Sequence, residues 1–193
     1  MTTPTPSQIR RNRLPLLAIF LLFSGSLLLA GVLRFSGWHP AGTRAHGELL
    51  QPPGDLRAVV PRLADGGDYH WNPGARMWRI ALAPPADCTD ACVHLAQQLN
   101  TIWQLMGQDA EHLQVLWIGV PPQGVARGAA LRVLQSSPAL RAGLPRVTPI
   151  AGEDPHGVPV YVIDPNGFVI LRYPPGFDPS GLRADLAKLL KLM

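Results

Sequence analysis

From Leu14 to Leu33 the chain reads LPLLAIFLLFSGSLLLAGVL, twenty residues without a charge. A helix of that length spans roughly 30 Å of hydrocarbon, and apolarity on every side is not the pattern of a helix packed in a water-soluble core. Residues 34–76 lose all regular periodicity. They are dense in Gly, Pro and polar side chains, which predicts an extended lead-in with at most one hairpin. Regular patterning begins at Met77. MWRIALAP suits a short buried strand, and Leu95, Leu99, Ile102, Trp103 and Met106 then recur at helical spacing until Gly107 stops them. LQVLWIGV, from Leu113 to Val120, predicts a second buried strand that ends at Pro121-Pro122. A helix is expected from Ala126 to Leu134, and a shorter one from about Ser137. PVYVIDPNGFVILRYP predicts two strands joined by the turn Asp164-Pro165-Asn166-Gly167. The last stretch, PSGLRADLAKLLKLM, is an amphipathic helix with Asp178 or Ser180 as N-cap and Leu182, Leu186, Leu189 and Leu190 on its apolar face.

Charge turns the apolar run into a topology. Arg10, Arg11 and Arg13 precede it and no acid does, so the positive-inside bias keeps residues 1–13 cytoplasmic and carries the bulk of the chain across. A cleavable signal would have a shorter apolar region and a small-residue cleavage site, so residues 14–33 are expected to remain as an anchor. The expected location is the inner (cytoplasmic) membrane, with the C-terminal domain in the periplasm. Three of the net +4 charges are these arginines, which leaves +1 on the remainder. With no basic cluster interleaved with aromatics, nucleic acid is not an expected partner. The 160 residues after Leu33 suffice for one domain with a real core, expected over 77–193.

The order strand, helix, strand, helix, hairpin, helix joins a parallel βαβ half to an antiparallel ββα half. This is the thioredoxin-like layout, an α/β fold, here written βαβ-α-ββα and preceded by one transmembrane helix. The only two cysteines, Cys88 and Cys92, fall where the first strand hands over to the first helix. Free N–H groups and the positive end of the helix dipole favour thiolate there, raising both nucleophilicity and metal affinity. At i,i+4 the two sulfurs share a helix face and meet either one metal ion or each other. A purely structural disulfide closing so short a loop gains little, so the pair is expected to carry chemistry.

Cys88-Thr89-Asp90-Ala91-Cys92 resembles the C-P-D-x-C-P motif of the Sco/SenC copper proteins, which assist assembly of the copper centre of cytochrome c oxidase. In those proteins a histidine shortly before a strand, in H-S-x-x-x-Y-L-I-x-P-D-G, is the third ligand. The matching stretch here runs from His156 through Tyr161 and Ile163 to Gly167, with the histidine five residues before the tyrosine as in the family. The resemblance spans roughly Trp78 to the C-terminus. It implies copper, as Cu(I) or Cu(II), held by Cys88, Cys92 and His156, and a membrane-embedded oxidase subunit or another copper-assembly protein as partner. Thr89 and Val93 stand in place of the two motif prolines, and Val120-Pro121-Pro122 replaces an acid-containing V-D-P. Soft thiolates with an imidazole suit copper, whereas a closed zinc site wants a fourth ligand.

Two further functions fit the same residues. Cys88 and Cys92 could be the catalytic pair of a membrane-tethered thiol–disulfide oxidoreductase, or the domain could be a scaffold for assembly without turnover. C-x-x-x-C has one residue more than the C-x-x-C of reductases, and Pro159 lies one position off their cis-proline register, where a strand-entry proline is the plainer reading. His94 is expected on the helix surface, pointing away from the sulfurs. His39, His46, His70 and His112 have no partner spacing.

Overall fold

The structure of the protein, a computed structural model, describes residues 6–36 and 45–191, with side chains from Pro15 onward. His39 and residues 1–5 of the expected cytoplasmic arm lie outside the described residues. The chain divides into two units, Met1–Thr43 and Arg44–Met193.

The first unit is one helix, α1 (Pro6–Phe35). Its segment Pro15–Phe35 is long and apolar enough to cross a membrane, and none of it is buried against protein. Its leucines and phenylalanines are exposed along the whole span, the pattern of a helix suited to hydrocarbon.

The second unit is a six-stranded mixed sheet. Its strands are β1 (Glu48–Asp55), β2 (Trp78–Leu82), β3 (Leu113–Ile118), β4 (Leu131–Leu134), β5 (Val160–Ile163) and β6 (Phe168–Tyr173), in the order β1-β6-β5-β2-β3-β4. β2, β3 and β4 run parallel, while β5 pairs antiparallel with β2 and β6 antiparallel with β5. The helices are α2 (Asp90–Leu105), α3 (Pro138–Ala142) and α4 (Pro179–Leu190).

Alternation along the central strands builds two cores. Trp78, Ile80 and Leu82 of β2 face the layer of α2 and α4, joining Leu99, Ile102, Trp117, Leu182 and Leu186. Ala81 and Ala83 face the other way, with Leu116, Ile118, Tyr161 and Leu140. That second face is also covered by Leu56, Tyr69 and Trp71, from the segment expected to be a bare lead-in. The same segment supplies β1, which pairs with β6 at one edge of the sheet. Arg62–Leu63–Ala64 lies along β4 at the opposite edge, with Ala64 N–H donating to Val133 O at 2.9 Å. Burial of Leu56 and Trp71 outweighs the weak strand propensity of Pro52, Pro53 and Gly54.

The helix expected over 126–134 is absent. Leu131–Leu134 is instead β4, registered on β3 with Val115 opposite Leu131 and Ile118 opposite Leu134. The free edge of β3 offers a ladder that satisfies these backbone groups, and Gly128 weakens the competing helix. The starts of the last two helices and the hairpin turn match the expectation. Ser137 Oγ accepts from Leu140 N–H to cap α3, and Asp178 accepts from Ser180 N–H to cap α4. In the β5–β6 turn, Asp164 Oδ1 accepts from the N–H groups of Asn166, Gly167 and Phe168 at 2.8–2.9 Å.

Candidate functional site

The carboxyl end of β2 runs into Ala83 and Pro84, both buried, and then an exposed turn ending at Cys88. Cys88 N–H donates to Pro85 O at 3.3 Å, closing that turn. Thr89 is the N-cap of α2 with no capping bond from its side chain, so Asp90 opens the first turn at the positive end of the dipole. Cys88 and Cys92 are joined as a disulfide with their Cα atoms 5.7 Å apart. The two sulfurs differ in setting. Cys92 is fully buried in the core between the sheet and α2, whereas Cys88 is only partly covered. Any attacking thiol therefore reaches Cys88 first.

His156 lies in the loop between α3 and β5 and is exposed. Its N–H donates to Asp154 Oδ1 at 3.0 Å. This loop is pinned from below. Glu153 makes a two-pronged ion pair with Arg172 of β6, both N–O distances being 2.6 Å. Arg172 is wholly buried, and its guanidinium holds the Glu153 carboxyl below the usual carboxylate range. His156 shares a cleft with Ala91, His94 and Gln98 on the first turns of α2, and with Asp154 and Phe177. The fold thus brings His156 to the helix that carries Cys92. It does not gather a metal-ligand group in the disulfide form: among the described residues no three of His, Cys, Asp and Glu are placed to hold an ion.

His94 is exposed on α2, as its spacing implied, but it opens onto the His156 cleft. Ala91, His94 and Gln98 follow the i, i+3, i+7 rhythm of one helix face, a signal visible in the sequence once the neighbouring loop is known. Pro159 is buried at the entrance to β5. The one cis peptide among the described residues is Gln51–Pro52, so the bond before Pro159 is trans.

A second polar cluster lies away from the cysteines. Asp185 of α4, 3 % exposed, accepts from His46 N–H at 2.6 Å, Gly47 N–H at 3.1 Å and Tyr173 O–H at 2.7 Å, and its other oxygen pairs with His46 Nδ1 at 3.1 Å. Burial pushes this carboxyl up, but the bonds from Tyr173, His46 and Gly47 outweigh it and hold it at about 2. The spacing of His46 gave no hint of this bond, because its partner is 139 residues away.

No protein of curated function matches the chain by sequence. Among solved structures the chain is similar to BsSco, described as having a disulfide switch and as a member of the Sco family of cytochrome c oxidase assembly proteins. The TM-score is 0.54 at 10 % identity, covering 76 % of this chain and 98 % of that one. Apo Sco1 from Thermus thermophilus gives a TM-score of 0.51 at 18 % identity, covering 80 % and 100 %. Copper-bound ScoI from Arabidopsis thaliana gives 0.47 at 18 % identity, covering 77 % and 100 %. The likenesses to BsSco and to Sco1 from Thermus thermophilus show a shared fold. Residues 78–193, more than half of the chain, match the profile of a family of the same fold, and the chain therefore belongs to the transmembrane-like, thioredoxin-like, C-terminal domain family.

Proposed function

We propose that this protein is a membrane-anchored, periplasm-facing copper-handling protein whose Cys88–Cys92 pair alternates between a disulfide and a copper-accepting dithiol during cytochrome c oxidase assembly. The observation that carries this reading is the disulfide at the start of α2, with one sulfur reachable and the other sealed in the core. The Sco-like fold supports it, as does the histidine loop facing the same helix.

Opening the site takes two electrons and two protons. A partner dithiol attacks Cys88, Cys92 leaves as thiolate and is protonated, and the second partner thiol then displaces Cys88. The partner ends as a disulfide and this chain as a dithiol. Copper is cargo, accepted only by the reduced form, because a disulfide sulfur has no thiolate to donate. Two thiolates and the His156 imidazole make a soft, three-donor set that suits Cu(I). Three donors leave one side open for handing the ion to a second protein. The loop that carries His156 is held beside α2 by the Glu153–Arg172 pair. Tethering by α1 confines the domain near membrane-embedded partners and raises its effective concentration there.

The test is Cu(I) loading of the reduced full chain in detergent micelles, beside His156→Ala. The Cys–Cys–His reading expects a changed thiolate–copper absorption and about tenfold weaker retention in the variant. Identical spectra and retention would remove His156 from the ligand set.

The accessible Cys88 beside the buried Cys92 also favours a second reading, thiol–disulfide exchange with a partner's copper-ligating cysteines. Insulin reduction at thioredoxin-like rates would place this activity first. Normal oxidase assembly in a Cys88→Ser strain would exclude both chemical readings and leave the scaffold.

A further inference from the structure

The parallel strands β2, β3 and β4 all point their carboxyl ends at the edge that carries the disulfide. Crevices at the carboxyl edge of such sheets are where open α/β folds take ligands. Here the edge forms a groove lined by Pro84, Val120, Pro121, Pro122, Arg127 and Arg141, on the side of the cysteine turn away from His156. Pro84 lies four residues before Cys88, so the groove begins at the reactive turn itself.

The charge of this groove has one sign. Two arginines and no carboxylate line it among the described residues. Arg141 donates to Ser136 Oγ at 3.0 Å and to Pro84 O at 3.4 Å, both neutral acceptors, which aim the guanidinium without cancelling it. Arg127 is exposed and makes no hydrogen bond or ion pair among the described residues. The same groove carries Val120, 92 % exposed, the most exposed large apolar side chain among the described residues of the second unit. The neighbouring Pro121 and Pro122 are rigid and have no N–H to hydrate. Two arginines and an exposed apolar step lining one groove are complementary to an acidic segment that carries an apolar residue.

We infer that this groove docks a short acidic segment of the partner protein, its Asp or Glu side chains on Arg127 and Arg141 and an apolar residue on Val120 and Pro121–Pro122. The inference rests on the reading that Cys88 and Cys92 act on a protein partner, and it states which chemistry selects that partner. Docking here presents the partner's thiols to the Cys88 side of the disulfide and leaves the His156 cleft free.

The test is a fluorescence-polarisation titration of the full chain in phosphatidylcholine nanodiscs. The probes are fluorescein-labelled Glu-Glu-Val-Glu-Glu and Lys-Lys-Val-Lys-Lys. The glutamate peptide is expected to bind about tenfold tighter at low salt, with the preference collapsing near 0.5 M salt. Arg127→Glu is expected to weaken it about fivefold or more, while Arg183→Glu, the same charge change on α4, leaves it unaltered. Equal binding of the two peptides would overturn the inference. So would equal weakening by Arg127→Glu and Arg183→Glu, which would show attraction to net charge alone. Neither probe contains a thiol or a metal. A failure of the copper reading therefore appears in the loading experiment, and a failure of the groove appears only in this titration.

Discussion

Three buried polar residues among those described, Arg79, Arg172 and Asp185, hold the second unit together where apolar packing does not reach. Arg172 is the costliest to disturb. Glu153→Ala would leave its buried guanidinium with the Arg146 carbonyl and a distant Glu48 carboxylate at 4.0 Å, and is expected to cost about 3 kcal/mol of stability. Denaturant unfolding followed by tryptophan fluorescence checks this, and a cost below about 0.5 kcal/mol would show that the pair is not a clamp. Asp185 gives the molecule an acid sensitivity. Its folded-state pKa of about 2 lies below the ordinary carboxylate value. Its contribution is therefore complete above pH about 4 and is lost as pH falls toward 2, a loss of about 2 kcal/mol. Asp185→Asn is expected to flatten the wild-type decline between about pH 5 and pH 2.5. An unchanged slope would mean that other carboxylates set it.

The helix α2 carries the site, and its seat depends on few side chains. Leu99 is fully buried between α2 and the sheet, so Leu99→Ala is expected to cost about 2–5 kcal/mol. At the opposite side of the sheet, a Cβ on Gly54 of β1 would stand 2.3 Å from Gly143 O, just after α3. Gly54→Ala is expected to lower the melting temperature by several degrees, about 1–3 kcal/mol. An unchanged melting point would show that β1 is not held tightly on that face. The sequence made most of these elements legible. Periodic leucines marked α2 and α4, continuous apolar runs marked β2 and β3, and Asp164 to Gly167 marked the hairpin. Two elements stayed hidden for one reason. β1 contains Pro52, Pro53 and Gly54, and β4 follows an Ala-rich stretch, so local propensity opposes both strands. Each exists because a sheet edge, supplied by residues more than ten positions away, pairs with it. The candidate site was legible to the same extent. Cys88 and Cys92 were fixed by their place between strand and helix, whereas the approach of His94 to the His156 cleft needed the packed loop.

Across the whole molecule, an apolar helix precedes a domain whose disulfide lies at the carboxyl end of the parallel strands. If the positive-inside reading holds, protease added outside spheroplasts is expected to digest the second unit. Complete protection would reverse the topology. The division into a reachable and a sealed sulfur, a histidine loop held by a buried ion pair, and a groove of positive charge all serve one cycle in the proposed account: reduce, load copper, hand over. The most direct measurement is copper content of the full chain in micelles, oxidised and then reduced with a phosphine and desalted under nitrogen. The account expects essentially no Cu(I) retained by the disulfide form and about one per chain after reduction. Equal copper in both forms, or none after reduction, would contradict it.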